Sequence, residues 1–398
     1  MGIDRGWALP GELESRVTAD LDRGTLVCEN RTMDKATLGA RITAARDAAG
    51  QTQTALARAL GVDRSAVSRL EAGERKLDVN ELLALCRALD VPLTYLVSEA
   101  PPAVVSRRRD VDSDGGSTWS IDSALHLLSH DVAHLQKLEL VDDPQQVPTL
   151  RTPRSHDEAE HDASRVRRAL DLSEEPLSDL GRVCERAGLL VHVSDDAPGD
   201  GAFVAVDDSQ PALGVAVVSG AAKSGRRRMT VAHELGHWVF GDSYDRGASW
   251  DESMIFSFAI HFLAPRGGVL REWHRHRAWS VRDRALQIAA VFQLSWSASL
   301  LHLVTVGAID QNTRERLLAQ HPRRADYLRL RLDLAEDLHA PYLPPGLTAG
   351  TLEGFADGRL TRPKTLELLR GTVTDDELPD RRQHPMDDLA SAFRGHGG

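Results

Sequence analysis

Apolar residues recur at spacings of three and four throughout Ala36–Val97, and Gly50, Gly61 and Gly73 interrupt them. Such spacing is typical of short amphipathic helices, and glycine is among the residues that most readily end one. We therefore predict that residues 36–97 form a compact all-helical domain. Residues 1–35 lack this periodicity and are predicted to be a flexible N-terminal extension.

The pattern changes after Val97, where proline, serine, glycine and charge dominate residues 98–120. Such a composition is typical of a linker. A helix is predicted at residues 121–140, and a second proline-containing stretch follows at 141–155. Residues 98–155 are therefore interpreted as a linker with a helix.

A new pattern begins near residue 156, where two helical runs, "ASRVRRAL" and "LSDLGRVCERAG", precede three short strand-like runs at 189–193, 201–206 and 212–218. Strands followed by the helical residues 286–310 indicate an α+β domain over 156–310, in which a sheet backs a helix. From residue 346 onward the chain is rich in glycine, proline and charged residues. The region 311–398 is therefore predicted to be helical and partly disordered.

Composition narrows the class of protein. The 398 residues are 41% hydrophobic and 27% charged, which fits a soluble multidomain globular protein, predicted to be cytoplasmic and without a membrane segment. A net charge of -11 argues against a protein that coats nucleic acid with its whole surface, but permits one small DNA-reading module. Cys28, Cys86 and Cys184 lie too far apart for a disulfide framework and are predicted to be reduced thiols.

The run "QTALARALGVDRSAVSRLEAGERK" at residues 53–76 predicts two short helices joined at Gly61. Apolar positions on each helix point inward, which leaves the polar face of the second helix exposed. That face fits the major groove of DNA. Its residues are Arg64, Ser65, Ser68 and Arg69.

The same run resembles the Xre/Cro-type helix-turn-helix family over residues 36–97, in "LA" at 56–57, "GV" at 61–62, "VSRLE" at 67–71 and Gly73. The resemblance implies a homodimer that binds a double-stranded DNA operator. It assigns DNA contacts to Gln53, Arg64, Ser65, Ser68 and Arg69. The alternative is a helical interaction domain whose arginines are merely solvated.

The run "RRRMTVAHELGHWVFGD" at residues 226–242 places His233 and His237 four residues apart, with Glu234 between them. On a helix, residues four apart share a face, so both imidazoles could bind one metal ion while Glu234 faces the remaining coordination position. Zinc that activates water takes three protein ligands and leaves one position open. The alternative is two histidines on a wet helix face, which would not need the apolar neighbours present here.

A third ligand is expected in "WDESMIFSFAIHFLAP" at residues 250–265, which predicts a helix from near Asp251 to before Pro265. Glu252 shares a face with four apolar residues, and a carboxylate in a buried stripe is costly unless it is paired or bound to metal. Asp251 is the second candidate, and His261 is excluded because it lies about 180° from Glu252. In the alternative interpretation both acids only stabilise the helix start. The four apolar residues are Ile255, Phe256, Ala259 and Leu263.

These two motifs resemble those of ImmA/IrrE-type metallopeptidases, RxxxxAHELGH and ExxAxxFAxxLLMP, and the resemblance covers about residues 156–310. It implies a zincin-like fold, Zn²⁺ bound by His233, His237 and Glu252, and Glu234 as the general base. Ile255 and Ala264 depart from the family pattern at positions that affect packing rather than ligands.

Two further runs have open interpretations. The triple Arg226–Arg228 at the start of the metal helix opposes the helix dipole and could hold an acidic substrate or face solvent. The run "IAAVFQLSWSASLLHL" also predicts a helix, a turn and a helix, but it lacks a basic face. That run is interpreted as packing or substrate docking rather than as a second DNA reader.

The expected fold is multidomain: an all-α helix-turn-helix domain, an α+β zincin-like metallopeptidase domain and a helical C-terminal part. The leading hypothesis is a DNA-binding transcriptional regulator with zinc metallopeptidase activity. The resemblance implies that it cleaves a helix-turn-helix repressor and so switches on stress, phage or mobile-element genes. The alternative is a transcriptional repressor that does not cleave and whose peptidase-like domain senses a metabolite or metal.

Overall fold

The structure is a computed structural model that describes residues 35–97, 118–241 and 252–382 apart from residues 90, 92, 196, 198–200, 207–211 and 335. The helix-turn-helix region contains α1 (Lys35–Ala48), α2 (Gln53–Leu60), α3 (Arg64–Glu71), α4 (Val79–Leu89) and α5 (Leu93–Val97). Helices α6 (Thr118–Lys137), α7 (His156–Ala169) and α8 (Leu180–Arg186) follow.

The strands β1 (Leu189–Ser194), β2 (Gly201–Ala205) and β3 (Gly214–Ser219) then precede a long helical region. Its first helices are α9 (Ser224–Phe240), α10 (Glu252–Leu263), α11 (Arg266–Arg275), α12 (Val281–Val291) and α13 (Trp296–Thr305). The last helices are α14 (Gln311–Leu318), α15 (Arg324–Arg329), α16 (Pro345–Ala356), α17 (Arg362–Leu369) and a 3₁₀ turn at Asp375–Glu377.

The helix-turn-helix geometry predicted from sequence is confirmed. Side chains of Thr52 and Asp63 accept hydrogen bonds from the first turns of α2 and α3, which fixes where each helix begins. Gly61 ends α2 in the left-handed region at φ 69°, a conformation that glycine adopts without strain. The inward residues pack in one core that includes Leu56, Val67 and Leu85.

The three strands form a mixed sheet in the order β1-β3-β2, which confirms the α+β arrangement. Strand β3 pairs in parallel with β1 and antiparallel with β2. Alternate residues face opposite sides, and both sides are buried. On one side Val191, Phe203 and Ala216 join the large core around α7 to α13, and on the other Leu190 and Val215 join a second core with α6, α16 and α17.

The second core corrects the linker prediction. Helix α6 is part of the domain core, because Leu125, Leu128 and Val132 are buried in that second core beside the strand residues. Residues 98–117 lie outside the described residues, as do residues 1–34 of the predicted extension 1–35, whose last residue begins α1. The neighbours of an isolated helix cannot be inferred from its flanking prolines, so the sequence placed α6 in the linker.

The prediction of a helical C-terminal part is confirmed, and its helices pack in the domain core. Leu347, Leu360 and Leu368 are buried in the second core, so α16 and α17 belong to the folded domain. Residues 383–398 lie outside the described residues. Within the described ranges, no single helix has the length and apolar character needed to cross a membrane.

Candidate metal centre and DNA-reading helix

Helix α9 carries the HExxH motif through the middle of the domain. Most of its own residues are buried, and Gly241 ends it at φ 60°. Two neighbours fix its last turns: Trp238 Nε1 donates to the carbonyl of Ala187 at 2.9 Å, and the Leu150 amide donates to the carbonyl of Val239 at 3.0 Å. The histidines of the motif therefore project from a rigid support.

The structure brings the predicted ligand atoms together. The Nε2 atoms of His233 and His237 lie 3.1 Å apart, and Glu252 Oε2 lies 3.1 Å from the first and 3.7 Å from the second. Among the described residues these three form the group of His, Cys, Asp or Glu side chains that could hold a metal ion, with ligand atoms within 4.8 Å of one another.

Helix α10 delivers Glu252 to this site. Ile255, Ala259 and Leu263 are fully buried, as the predicted stripe requires, and Phe256 is half-buried. The Glu252 side chain itself is 53% exposed, so the prediction that it ends a buried stripe is wrong. Its position over both imidazoles, not the cost of burial, is what indicates a ligand. Hydrogen bonding from His233, and then from His237, lowers the pKa of the Glu252 carboxyl well below its ordinary value.

The donor set fits zinc. Ligand atoms about 2.0–2.1 Å from a tetrahedral zinc ion lie about 3.3 Å from one another, close to the three separations between His233, His237 and Glu252. Two imidazoles and one carboxylate are also a ligand set that catalytic zinc sites use, with the fourth position left to water or substrate. The residues present therefore match the metal that the sequence predicts.

Aromatic rings and burial shape the surroundings of the ligands. The Phe203 ring of β2 stacks near His237, with centroids 6.1 Å apart, and the Phe256 ring lies 4.5 Å from that of His233. Glu234 is only 2% exposed, beside His233 on the same helix.

The other candidates near the motif lie elsewhere. Asp251 falls outside the described residues. His261 projects to the far side of α10, where its Nε2 lies 3.6 Å from Glu160 Oε2 and its ring lies 4.9 Å from that of His302. The exclusion of His261 as a ligand therefore agrees with the structure.

Two of the three arginines at the start of α9 hold the fold together. Arg228 is fully buried and pairs with Asp337, while its other nitrogen donates to the carbonyl of Leu177 at 3.0 Å. Arg227 donates to the carbonyls of Gly220 and Ala222 at 2.8 and 2.9 Å. Asp337 also accepts from the amide of Leu180 at 2.9 Å, at the start of α8. Nothing in the sequence pointed to Asp337, because its partner lies 109 residues away.

The predicted DNA contacts divide into two groups. Arg64, Ser65, Ser68 and Arg69 are exposed on α3, where they can reach DNA. Gln53 instead donates to Glu71 Oε2 at 2.7 Å, and Glu71 also pairs with Arg46 at 2.6 Å. This buried network, which the sequence did not predict, joins α1, α2 and α3.

Two family models match the chain. The model described as helix-turn-helix covers residues 42–96, and the model described as the IrrE N-terminal-like domain, the Peptidase_M78 family, covers residues 184–302. The chain joins a helix-turn-helix domain to an IrrE N-terminal-like domain. The candidate metal-binding group, formed by His233, His237 and Glu252, lies inside the IrrE-like domain, and the exposed face of α3 lies inside the helix-turn-helix domain.

One sequence relative matches part of the chain, and one solved structure aligns with most of its length. The HTH-type transcriptional regulator PrpR of Mycobacterium tuberculosis is 32% identical over 104 residues, which are 26% of this chain and 21% of that protein. This chain therefore spans about a fifth of that relative. A crystal structure of ComR from Streptococcus suis aligns over 92% of this chain and 97% of that chain, at 12% identity and a TM-score of 0.16, a similarity too low to indicate a shared fold.

The two domains support a DNA-binding transcriptional regulator that includes a peptidase-family domain. Helix α3 exposes polar side chains inside the helix-turn-helix domain, and α9 with α10 bring the candidate metal ligands together.

Proposed function

We propose that the protein is a transcriptional regulator whose IrrE-like domain is a zinc metalloendopeptidase. The observation that carries the proposal is the convergence of the His233, His237 and Glu252 ligand atoms within 4.8 Å. That group lies in a peptidase-family domain joined to a helix-turn-helix domain.

His233, His237 and Glu252 would hold the ion. Bound zinc acts as a Lewis acid toward a water molecule and a peptide carbonyl. Glu234 accepts the proton of the attacking water and passes it to the leaving amine, the work of a general base and then a general acid. Its burial beside His233 keeps bulk water from competing for that proton.

The protein substrate that we propose is a helix-turn-helix repressor, as the ImmA/IrrE resemblance implies. The helix-turn-helix domain would bring the enzyme to an operator, where Arg64 and Arg69 contact phosphates or base edges. Cleavage of the repressor would then switch on the genes that it controls. We propose that a homodimer binds the operator, because paired half-sites are the usual target of such domains.

A second function, a regulator that does not cleave, has one observation in its favour. The M. tuberculosis relative is named as a transcriptional regulator. In that case the IrrE-like domain would bind a metabolite or metal, and Glu234 would have no proton to transfer.

A Glu234→Gln variant separates these two functions. We expect it to keep its zinc and its DNA affinity, because neither requires the Glu234 carboxylate, but to lose cleavage of a helix-turn-helix protein encoded beside its gene. Glu315→Gln, at a polar position on α14, is the matched control. If Glu234→Gln regulates its promoter as the wild type does, the peptidase proposal fails and the second function is supported.

The metal assignment has its own test. Elemental analysis of the purified protein should find one zinc per chain, and a His233→Ala, His237→Ala double variant should lose it. His161→Gln, an exposed histidine on α7, serves as the control and should retain the metal. Equal zinc in the double variant and the wild type would refute the site.

DNA contacts are tested by salt dependence. Arg64→Ala and Arg69→Ala should each weaken binding to duplexes selected by the protein from a random pool. Removing one arginine that neutralises a phosphate should reduce the slope of log affinity against log salt by about 0.9. Arg87→Ala, at an exposed position on α4, should leave the slope unchanged. Unchanged slopes in both α3 variants would place the DNA-binding face elsewhere.

A further inference from the structure

The end of α11 and the start of α12 form a strongly basic surface. Residues 271–284, "REWHRHRAWSVRDR", contain five arginines and two acids, in a chain whose net charge is -11. We call this stretch the α11–α12 surface. All of residues 252–334 are described except for none in this stretch, so its neighbours along the chain are known.

The two acids of the α11–α12 surface already have partners. Glu272 is 7% exposed, and its carboxylate accepts from Arg275 Nη1 and from Gln287 Nε2, each at 2.6 Å. Asp283 pairs with Arg329 of α15. Both carboxylates are therefore engaged by groups other than Arg277 and Arg284.

Arg284 is held in place with one edge open. Its guanidinium carbon lies 3.8 Å from the centroid of the Trp273 ring, and Nε and Nη2 donate to the Trp273 carbonyl at 2.9 and 2.7 Å. Nη1 has no acceptor among the described residues. A guanidinium fixed by stacking is pre-organised, so it loses little side-chain freedom when it binds an anion.

Arg277 adds a second cation beside Arg284. Burial, and then the charge of Arg277, lower the pKa of the Arg284 guanidinium, so the two groups are close enough to repel each other. Arg277 is exposed, and within the described ranges neither arginine pairs with a carboxylate. An anion bound at both guanidinium groups would offset their repulsion.

The positive charge continues onto the next helix. Helix α15 packs beside α12 and carries Arg324, and Arg331 follows it, both exposed. The ion pair between Arg282 and Asp326, at 2.9 Å, fixes α15 against α12. The anion that fits this region is therefore an extended one with several charges.

We propose that the α11–α12 surface binds the phosphate backbone of DNA that flanks the operator. The matching helix-turn-helix model supplies the argument for this partner, because a chain held on DNA by one domain presents its other basic surfaces to the same DNA at high effective concentration. Arginine can bind a phosphate through two parallel hydrogen bonds. In a chain of net charge -11, most of the surface is repelled by DNA, so one basic face would orient the IrrE-like domain on it. The inference does not depend on the proposed peptidase function.

Salt dependence tests the contact in the full-length protein. The DNA is a long duplex that carries the operator selected from a random pool. Arg277→Gln should reduce the slope of log affinity against log salt by about 0.9, which is roughly an eightfold loss of affinity at about 0.1 M salt relative to about 1 M. Arg168→Gln, at an exposed position on α7, is the matched control and should keep the wild-type slope. An unchanged slope in Arg277→Gln would overturn the inference.

Arg284→Gln should reduce the slope by the same amount. Because Arg284 also packs on Trp273, its unfolding midpoint is measured beside the wild type. Arg277 makes no such contact, so the result for Arg277→Gln decides the matter even if Arg284→Gln is unstable.

The length of the duplex locates the contact. When the flanks are trimmed base pair by base pair, the wild type should lose affinity until its affinity equals that of Arg277→Gln on the same duplex. Arg277→Gln should gain little from the flanks, because phosphate contacts outside the operator carry no base-specific information and are removed with the cation. An equal gain from the flanks in both proteins would contradict the proposal.

Two further measurements separate this inference from its alternatives. Arg64→Ala is measured on the same duplexes: if it binds as the wild type does while Arg277→Gln has the reduced slope, the assignment of α3 fails and this inference stands. Binding to poly-glutamate is measured as well. If Arg277→Gln loses that binding but binds DNA as the wild type does, the partner is an acidic protein and the inference is overturned.

Discussion

Gly236 lies at a close contact between the two helices that carry the ligands. A Cβ placed there would lie 2.9 Å from Cγ2 of Ile255 and 3.1 Å from Cδ1 of Phe258, both fully buried. Because such a core cannot yield easily, Gly236→Val should lower the free energy of unfolding by about 1–3 kcal/mol. It should also reduce zinc retention, since α10 must shift and carries Glu252.

Thermal unfolding and zinc analysis check this prediction. Ser297→Val, an exposed substitution on α13, should change neither quantity. If Gly236→Val keeps both the wild-type midpoint and the wild-type zinc content, the close contact at Gly236 is not required for stability or for the position of Glu252.

His302 makes stability depend on pH. Burial lowers its pKa to about 4, with a further effect of His261, while its Nε2 lies 2.7 Å from the carbonyl oxygen of Ala264. The unfolded chain takes up this proton near pH 6.5 and the folded chain near pH 4. A fall in pH through that window therefore stabilises the unfolded state relative to the folded state. The contribution of His302 to stability should therefore be constant above about pH 6.5 and fall by up to about 1.4 kcal/mol per pH unit between about pH 6.5 and pH 4.

Denaturant unfolding across this window tests the role of His302. His302→Gln keeps a donor for Ala264 but cannot titrate, so its stability should fall less steeply than that of the wild type. The neighbouring Glu160 and Arg266, and the metal ligands, remain in both proteins. His161→Gln should retain the wild-type slope, and equal slopes in all three proteins would contradict the assignment.

The ligand residues could be predicted from sequence because they are local. His233 and His237 share one helix, so their spacing alone places them on one face, and Glu252 begins the next helix in the chain. The exposure of Glu252 could not be predicted, since it depends on how α10 crosses α9 rather than on its own periodicity. Asp337 was missed for a similar reason, because its pairing with Arg228 spans 109 residues.

At the scale of elements, the Arg228–Asp337 pair connects the start of α9 to the start of α8 and to the segment before α16. Arg228 is fully buried, and Asp337 also accepts from the Leu180 amide. Removing one charge leaves the other buried without its counter-ion, which costs about 3–5 kcal/mol. Asp337→Asn should therefore destabilise the domain by about that amount.

Replacing both charged residues gives the sharper test. Because desolvation of both ions is then avoided, Arg228→Met with Asp337→Leu should recover most of the stability that Asp337→Asn removes. Asp333→Asn, an exposed acid nearby, is the control and should stay within about 0.5 kcal/mol of the wild type. A double variant as unstable as Asp337→Asn would show that the pair contributes more than charge balance.

At the scale of the whole molecule, the sequence predicted the two domain types but not their extent. The glycines after residue 345 were interpreted as a sign of a partly disordered tail, but in the structure two of them allow close packing between segments. A Cβ on Gly350 would overlap the Leu140 carbonyl oxygen at 1.9 Å, and one on Gly354 would lie 2.5 Å from Leu140 Cδ1. Composition cannot distinguish a glycine in a flexible tail from one in a tight helix contact, so the packing of α16 against Leu140 could not be predicted.

The C-terminal helices should therefore contribute to the stability of the IrrE-like domain although they lie beyond residues 184–302, which match the family model. Leu360 is 3% exposed between α16 and α17, whereas Leu334 is 52% exposed. Leu360→Ala should lower the free energy of unfolding by about 2–5 kcal/mol, because it removes buried apolar area and leaves a cavity. Leu334→Ala should change it by less than about 1 kcal/mol, since Leu334 buries little area in the core. Denaturant unfolding, with zinc release as the readout, measures the stability of both variants. Equally small effects in the two variants would mean that α16 and α17 do not stabilise the domain that holds the metal centre.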